Sequence, residues 1–285
     1  MGENKRLKRF KEIWQRLSKN KLAILGLIII IVMILIAFFA DFIAPYGYDE
    51  QDLTMAFQGP GNGHLFGTDE FGRDIFSRVV YGTRISLLIG FVAVAIAVVI
   101  GVLLGAISGY YGDKVDNIIM RLMDILLSIP QILLAIAIVA ALGNGLFNLM
   151  LAVGLSSIPH YARIIRASVL SIKDQEFIEA AKAAGSSDLR IIFKHIIPNC
   201  LAPIIVQATL GVALAILTAA GLSFIGLGIA PPTPEWGSML SSGRNYIRDD
   251  SYMTMFPGLA IVVTIFALNV LGDGLRDALD PKLKK

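Results

Sequence analysis

Hydrophobic residues in this chain gather into six runs, each close to the ~20 apolar residues that a helix needs to cross a bilayer. The runs cover residues 22–44, 85–109, 122–142, 146–165, 201–227 and 256–275. Polar punctuation inside them is sparse: Asp41 near the end of the first, Pro130 in the third, Asn148 and Pro159 in the fourth. Neighbouring helices can re-satisfy backbone groups freed by an intramembrane proline, so Pro130 and Pro159 do not cancel their spans. The pattern predicts an all-α integral membrane protein with six transmembrane helices.

Composition supports this. Of 285 residues, 55% are hydrophobic and only 16% charged, whereas a soluble domain carries about 25% charged residues. A soluble core cannot absorb that much apolar surface, and a bilayer can. Charge then orients the spans, because cytoplasmic loops collect Lys and Arg. With the N-terminus inside and sides alternating across six spans, 20 of the 25 basic residues are cytoplasmic. They are the eight from Lys5 to Lys21, then Lys114 and Arg121, six from Arg163 to Lys194, and Arg276, Lys282, Lys284 and Lys285. Arg73, Arg78, Arg84, Arg244 and Arg248 fall outside. An odd number of spans would misplace the last basic cluster, so both termini are expected to be cytoplasmic. The first run has the charged start of a signal peptide. It exceeds the usual 7–15 apolar residues, however, and Ala40-Asp41 lacks a cleavage pattern, so it reads as a retained helix.

The chain thus divides into a basic cytoplasmic segment (1–21), a first helix with a long outer loop (22–84), a five-helix core (85–275) and a short tail (276–285). The outer loop is acidic at Asp49, Glu50, Asp52, Asp69, Glu70 and Asp74. It far exceeds the ordinary connection of about 4–6 residues, so it is either functional or a small ordered subdomain. Trp236, after Pro231-Pro232-Thr233-Pro234-Glu235, is a candidate interfacial anchor, and Gly143-Asn144-Gly145 reads as a tight turn. One cysteine, Cys200, and three scattered histidines argue against a disulfide or a dedicated metal site.

The most informative stretch is the cytoplasmic loop 166–199. It reads as two short helices with a break. Asp174 or a neighbour caps the first, and Gly185 stands where a helix stop wants a left-handed residue. Ser186, Ser187 and Asp188 supply a new N-cap. The second helix runs over about 189–197, with Pro198 beyond it. The run Glu179-Ala180-Ala181-Lys182-Ala183-Ala184 is small on nearly every face and lets another surface approach closely. An interfacial amphipathic hairpin has the same composition, and the residues alone leave both readings open.

Glu179-Ala180-Ala181, then Gly185, then Ile196-Ile197-Pro198-Asn199 resembles the EAA loop of the membrane subunits of binding-protein-dependent ABC importers. Where the general pattern has Ile-x-Leu-Pro, this chain has His195-Ile196-Ile197-Pro198, similar to the variant of peptide and nickel permeases. Phe66-Gly67-Thr68-Asp69, Gly72-Arg73-Asp74, Gly82-Thr83-Arg84, Gly109-Tyr110-Tyr111-Gly112 and Gly221-Leu222-Ser223-Phe224-Ile225-Gly226-Leu227-Gly228 extend the resemblance over almost the whole chain. The chain resembles the smaller of the two homologous membrane subunits of such systems.

The resemblance implies a type I ABC importer-like permease fold with an added first helix and outer loop, in a bacterial or archaeal cytoplasmic membrane. It implies a heterodimer with a second permease subunit, two cytoplasmic ATP-binding subunits that hold the ATP and Mg, and an extracytoplasmic substrate-binding protein. No cofactor is expected on this chain, nor any nucleic-acid partner. ATPase coupling is expected from Glu179, Ala180, Ala181, Gly185, Asp188 and Pro198. The cargo implied is short peptides, with nickel or a nickel chelate as the alternative. No G-x-x-x-x-G-K-[ST] loop is present to cradle phosphates, so the energy must come from a partner.

Candidate substrate-path residues are Gln207, Gly211 and Thr218, near one stripe of the fifth span, and Asn269 on the sixth; interhelical hydrogen bonding explains the same residues. Gly101, Gly105 and Gly109 repeat every four residues, as at a close helix contact. Asp124 reads as paired with Arg121 or interfacial. Two other classes remain. An ion-coupled secondary transporter would lean on intramembrane carboxylates, and the spans hold almost no charge. A membrane hydrolase would need Ser156 or Ser157 with His160, without a nucleophile motif such as G-x-S-x-G.

Overall fold

The structure is a computed structural model and describes residues 11–61 and 63–279. Among the described residues, the helices that position the site are α1 Lys21–Phe38, α2 Ile75–Tyr111, α3 Asp113–Leu127, α4 Gln131–Leu142, α5 Leu146–Leu170, α6 Glu176–Ala183, α7 Asp188–Ile191, α8 Leu201–Phe224, α9 Trp236–Gly243 and α10 Tyr252–Leu279. Helices α1, α2, α8 and α10 are each long and apolar enough to cross a membrane. The basic residues Lys5, Arg6, Lys8, Arg9, Lys282, Lys284 and Lys285 used in the charge partition lie outside the described residues.

The spine of the fold is the α2–α5 pair. Helix α2 has 37 residues, about 55 Å at 1.5 Å per residue, well beyond the ~30 Å apolar thickness of a bilayer. It starts ten residues before the expected second span. Asp74 caps it, its Oδ2 accepting from Ser77 N at 2.7 Å, and its first turns are buried in the outer cap rather than in lipid. The glycine ladder brings the α2 backbone onto α5. A Cβ on Gly101 would lie 2.6 Å from that of Tyr161, and one on Gly109 would lie 2.8 Å from that of Val169. A Cβ on Gly105 would collide with the Ala162 carbonyl oxygen.

The expected third span is not one helix. The chain bends by 89° between α3 and α4, at the Ser128–Pro130 break. Proline has no N–H to continue the ladder and disfavours helical geometry in the residue before it. Helix α4 has 12 residues, about 18 Å, while α3 is amphipathic and buries only Met123. Helix α5 runs through Pro159 without interruption.

The long outer loop forms an ordered cap stitched by side chains. Asp69 accepts from Arg73 Nε at 2.7 Å, and His64 Nδ1 is 2.9 Å from Asp74 Oδ1. Arg78 Nη1 donates to Tyr48 O at 2.7 Å and to Pro232 O at 3.2 Å, joining this loop to the proline-rich segment after α8. Buried charges persist only when paired or hydrogen-bonded, and these are. Trp236 is not an interfacial anchor: it is fully buried, and its Nε1 donates to Val79 O at 3.1 Å. The adjacent Glu235 is also buried. Its carboxyl oxygens accept from Gly237 N and Ser238 N, both at 2.9 Å, and so cap α9. Burial pushes this carboxyl above its ordinary pKa.

Candidate functional site

The loop between α5 and α8 folds into a helical hairpin. Its first limb, α6, starts after Gln175, which makes no side-chain cap bond; Asp174 does not serve as the cap. At the tip, Gly185 takes φ +75°. Its N–H donates to Lys182 O at 2.9 Å, and Ser186 N–H donates to Ala181 O at 3.1 Å, the paired bonds of a Schellman stop. A Cβ on Gly185 would meet nothing within 4 Å. The second limb begins with α7, continues as a π turn over Ile192–Ile196, and ends in Ile197–Asn199. Pro198 therefore lies inside its last turn, exposed, and not beyond the helix.

One face of the hairpin is anchored. Ile178, Ile191, Ile192 and Ile196 are all but completely buried, and pack with Val102 and Ala106 of α2 and Ile165 and Val169 of α5. Each fully buried side chain of this kind contributes about 1.5–3 kcal/mol. The other face is free. Glu179, Ala180, Ala183, Ala184 and Gly185 are exposed, as are Phe177, Leu189 and Phe193. The alanines differ in role: Ala180 faces outward, while Ala181 packs against the isoleucine cluster. Small size at position 181 thus serves the hairpin's own packing. Asp188 does not act through a cap bond; its Oδ1 accepts from the Tyr110 hydroxyl at 2.7 Å. Lys182 Nζ lies 5.5 Å from the centroid of the same ring, within cation–π range.

The polar residues within the spans scatter. Gln207 borders a cavity of about 390 Å³ at the inner end of α8, with Ala202, Pro203, Val206, Leu210 and Arg276, and its Nε2 is 3.0 Å from His160 Nε2. A side chain on Gly211 would run into the Tyr161 hydroxyl, so this glycine marks a close approach. Thr218 is buried and donates to Leu214 O at 2.8 Å in its own helix. Asn269 is exposed on α10. Asp124 pairs with Arg163, not Arg121. Ser156 and Ser157 donate to Val153 O at 3.0 and 2.7 Å, while His160 faces Gln207, so no serine–histidine dyad forms.

Tyr110, Leu189 and Phe193 join this candidate site although no local sequence pattern marks them. Tyr110 belongs to the Gly109-Tyr110-Tyr111-Gly112 motif, but its partner is 78 positions away.

A bundle of apolar helices carrying an anchored hairpin with one exposed face has the architecture of a membrane subunit of a type I ABC importer. Solved structures agree on the fold. An inward-facing form of the MetNI methionine ABC transporter matches with a TM-score of 0.59 at 20% identity, over 71% of this chain and 96% of that one. An amino acid ABC transporter matches with a TM-score of 0.52 at 18% identity, over 73% and 95%.

Sequence comparison gives the family. Residues 101–285 match the model of the binding-protein-dependent transport system inner membrane component, and residues 8–60 match the N-terminal TM domain of oligopeptide transport permease C. The chain belongs to this family of transport-system membrane components. It is 53% identical to the dipeptide transport system permease protein DppC of Alkalihalophilus pseudofirmus, over 96% of this chain and 90% of that protein. It is 47% identical to the di/tripeptide permease protein DppC of Pseudomonas aeruginosa, over 96% and 92%. It is also 47% identical to the glutathione permease protein GsiD of Escherichia coli, over 96% and 90%. The chain is therefore a multi-pass transport subunit that works with ATPase and substrate-binding partners.

Proposed function

We propose that this chain is one of two homologous permease subunits of an importer of short peptides in a bacterial or archaeal inner membrane. It spans the membrane six times, with the broken α3–α4 segment as one span and both termini in the cytoplasm. The anchored hairpin carries the coupling part of this reading. Its exposed face, with Glu179, Ala180 and Gly185 beside Phe177, Leu189 and Phe193, presents a small-residue surface with apolar and acidic contacts to a cytoplasmic ATPase. The buried isoleucine face ties that surface to α2 and α5, so docking on one side is felt in the spans. Two ATPase subunits bind and hydrolyse MgATP, one per permease.

The cargo rests on the relatives named above, which are permeases for dipeptides, for di- and tripeptides, and for glutathione. A binding protein outside the membrane selects the cargo and delivers it to the outer cap. Of the path candidates, Gln207 has the best position, at the mouth of the inner cavity.

The test is to purify the assembled complex with its binding protein and identify the bound molecule by mass spectrometry, then to measure uptake of that molecule. Bound di- or tripeptides, and uptake that needs ATP and survives collapse of ion gradients, are the expected results. A nickel chelate on the binding protein would overturn the peptide reading. Uptake that stops when the gradients collapse, with ATP still present, would overturn the importer reading.

A further inference from the structure

The Gly109-Tyr110-Tyr111-Gly112 motif lies at the inner end of α2, outside the hairpin, yet Tyr110 touches both of its limbs. The Tyr110 hydroxyl donates to Asp188 Oδ1, the first residue of the second limb, at 2.7 Å. The Tyr110 ring carries Lys182 of the first limb at 5.5 Å. Gly109 lets this end of α2 press against Val169 of α5, and Gly112, at φ +66°, turns the chain into α3. Three residues into α3, Asp116 accepts from Ser108 of α2 and from Arg166 Nε of α5, the latter at 2.6 Å. The end of α2 is thus braced on two sides before it reaches the hairpin.

The remaining hold on the hairpin is the isoleucine cluster. Apolar packing seats the hairpin against the bundle and transmits strain, but it supplies no directional bond. Among the described residues, the side-chain hydrogen bonding between 176–199 and a helix outside the loop converges on Asp188, where Tyr110 makes the 2.7 Å bond and its neighbour Tyr111 also faces the carboxylate. We propose that Tyr110 is a positioning residue for transport: it fixes the angle of the hairpin on α2, so that movement imposed by the ATPase reaches the spans instead of being absorbed in the loop. This rests on reading the hairpin as the ATPase coupler.

The experiment reconstitutes the whole complex, with both permeases, both ATPases and the binding protein, and reads peptide taken up per ATP hydrolysed. Tyr110→Phe removes the hydroxyl and keeps the ring. It should assemble, and uptake per ATP should fall about threefold, the scale of one solvent-exposed hydrogen bond to a charged group. Asp188→Ala, which also removes the carboxylate that Tyr111 faces, should have at least this effect, and the double variant should be no worse than Asp188→Ala, because the Tyr110 bond is already gone in it. A normal uptake ratio in Tyr110→Phe, or single effects that multiply in the double variant, would overturn the proposal. Glu179→Arg separates it from the coupling reading. If Glu179→Arg uncouples transport and Tyr110→Phe does not, only the Tyr110 proposal fails. If Glu179→Arg leaves the ratio unchanged, the coupling reading fails as well.

Discussion

Gly185 offers a perturbation in which backbone strain and steric bulk can be separated. Its φ of +75° costs an ordinary L-residue roughly 1–2 kcal/mol, and asparagine less. No atom within 4 Å would meet an added Cβ, so the cost inside this chain is conformational only. The four buried isoleucines, at about 1.5–3 kcal/mol each, outweigh it, and the hairpin stays seated. Gly185→Asn should therefore transport almost as well as wild type, and Gly185→Ala should lose a few-fold. Gly185→Trp adds about 150–250 Å² of aromatic surface on the exposed side that we propose docks on the ATPase. It should insert and fold normally, yet lose nearly all transport. The assay is peptide uptake and ATP hydrolysis in proteoliposomes, with the amount of assembled complex measured alongside. Normal transport by Gly185→Trp would refute the docking role of this tip.

Three further outcomes follow from the geometry. Ile178→Ala empties a fully buried site under the hairpin and should cost about 2–5 kcal/mol of local stability, seen as faster hydrogen exchange over 176–199 while the spans keep their protection. Gly105→Leu places a side chain against the Ala162 carbonyl and should sharply lower the yield of folded protein in detergent, whereas Gly143→Leu, in open space at φ +85°, should cost only the strain of its turn. Glu235 has its pKa raised by burial, so the folded state holds its proton more tightly than the unfolded state does. Its contribution is complete below the ordinary carboxylate pKa of 4.5 and is lost as pH climbs through the raised value; Glu235→Gln should show a flatter dependence of Tm on pH above 4.5.

What could be read from the sequence was what each residue contributes locally. Runs of apolar residues located the long helices, and Gly185 marked the hairpin tip through its own backbone preference. Directions were harder to read. Helix α8 is apolar on nearly every side, so periodicity could not tell that Thr218 turns inward while Leu214 and Leu217 stay exposed. Pro130 signalled a break, but the 89° bend depends on what the flanking helices pack against. Ala181 and Ala180 are chemically identical, and only the fold of the hairpin separates inner from outer. Asp124 found Arg163 rather than Arg121 because α5 crosses α3 there. The outer cap is held by ion pairs and carbonyl contacts between distant segments, such as Arg78 to Pro232, which no local pattern announces.

The glycine ladder has a mechanical consequence. Where two helix backbones touch over several turns, neither can slide or roll without lifting the other away. Helices α2 and α5 therefore behave as a single stiff beam, with the hairpin at one end and, through the early turns of α2, the outer cap at the other. A tilt applied at the hairpin end would be carried along the beam toward the outer cap, with a displacement that grows with its length. The compliance needed to open and close a passage then falls to the segments outside the beam, and the chain has placed its sharpest interruption, the Ser128–Pro130 break, in one of them.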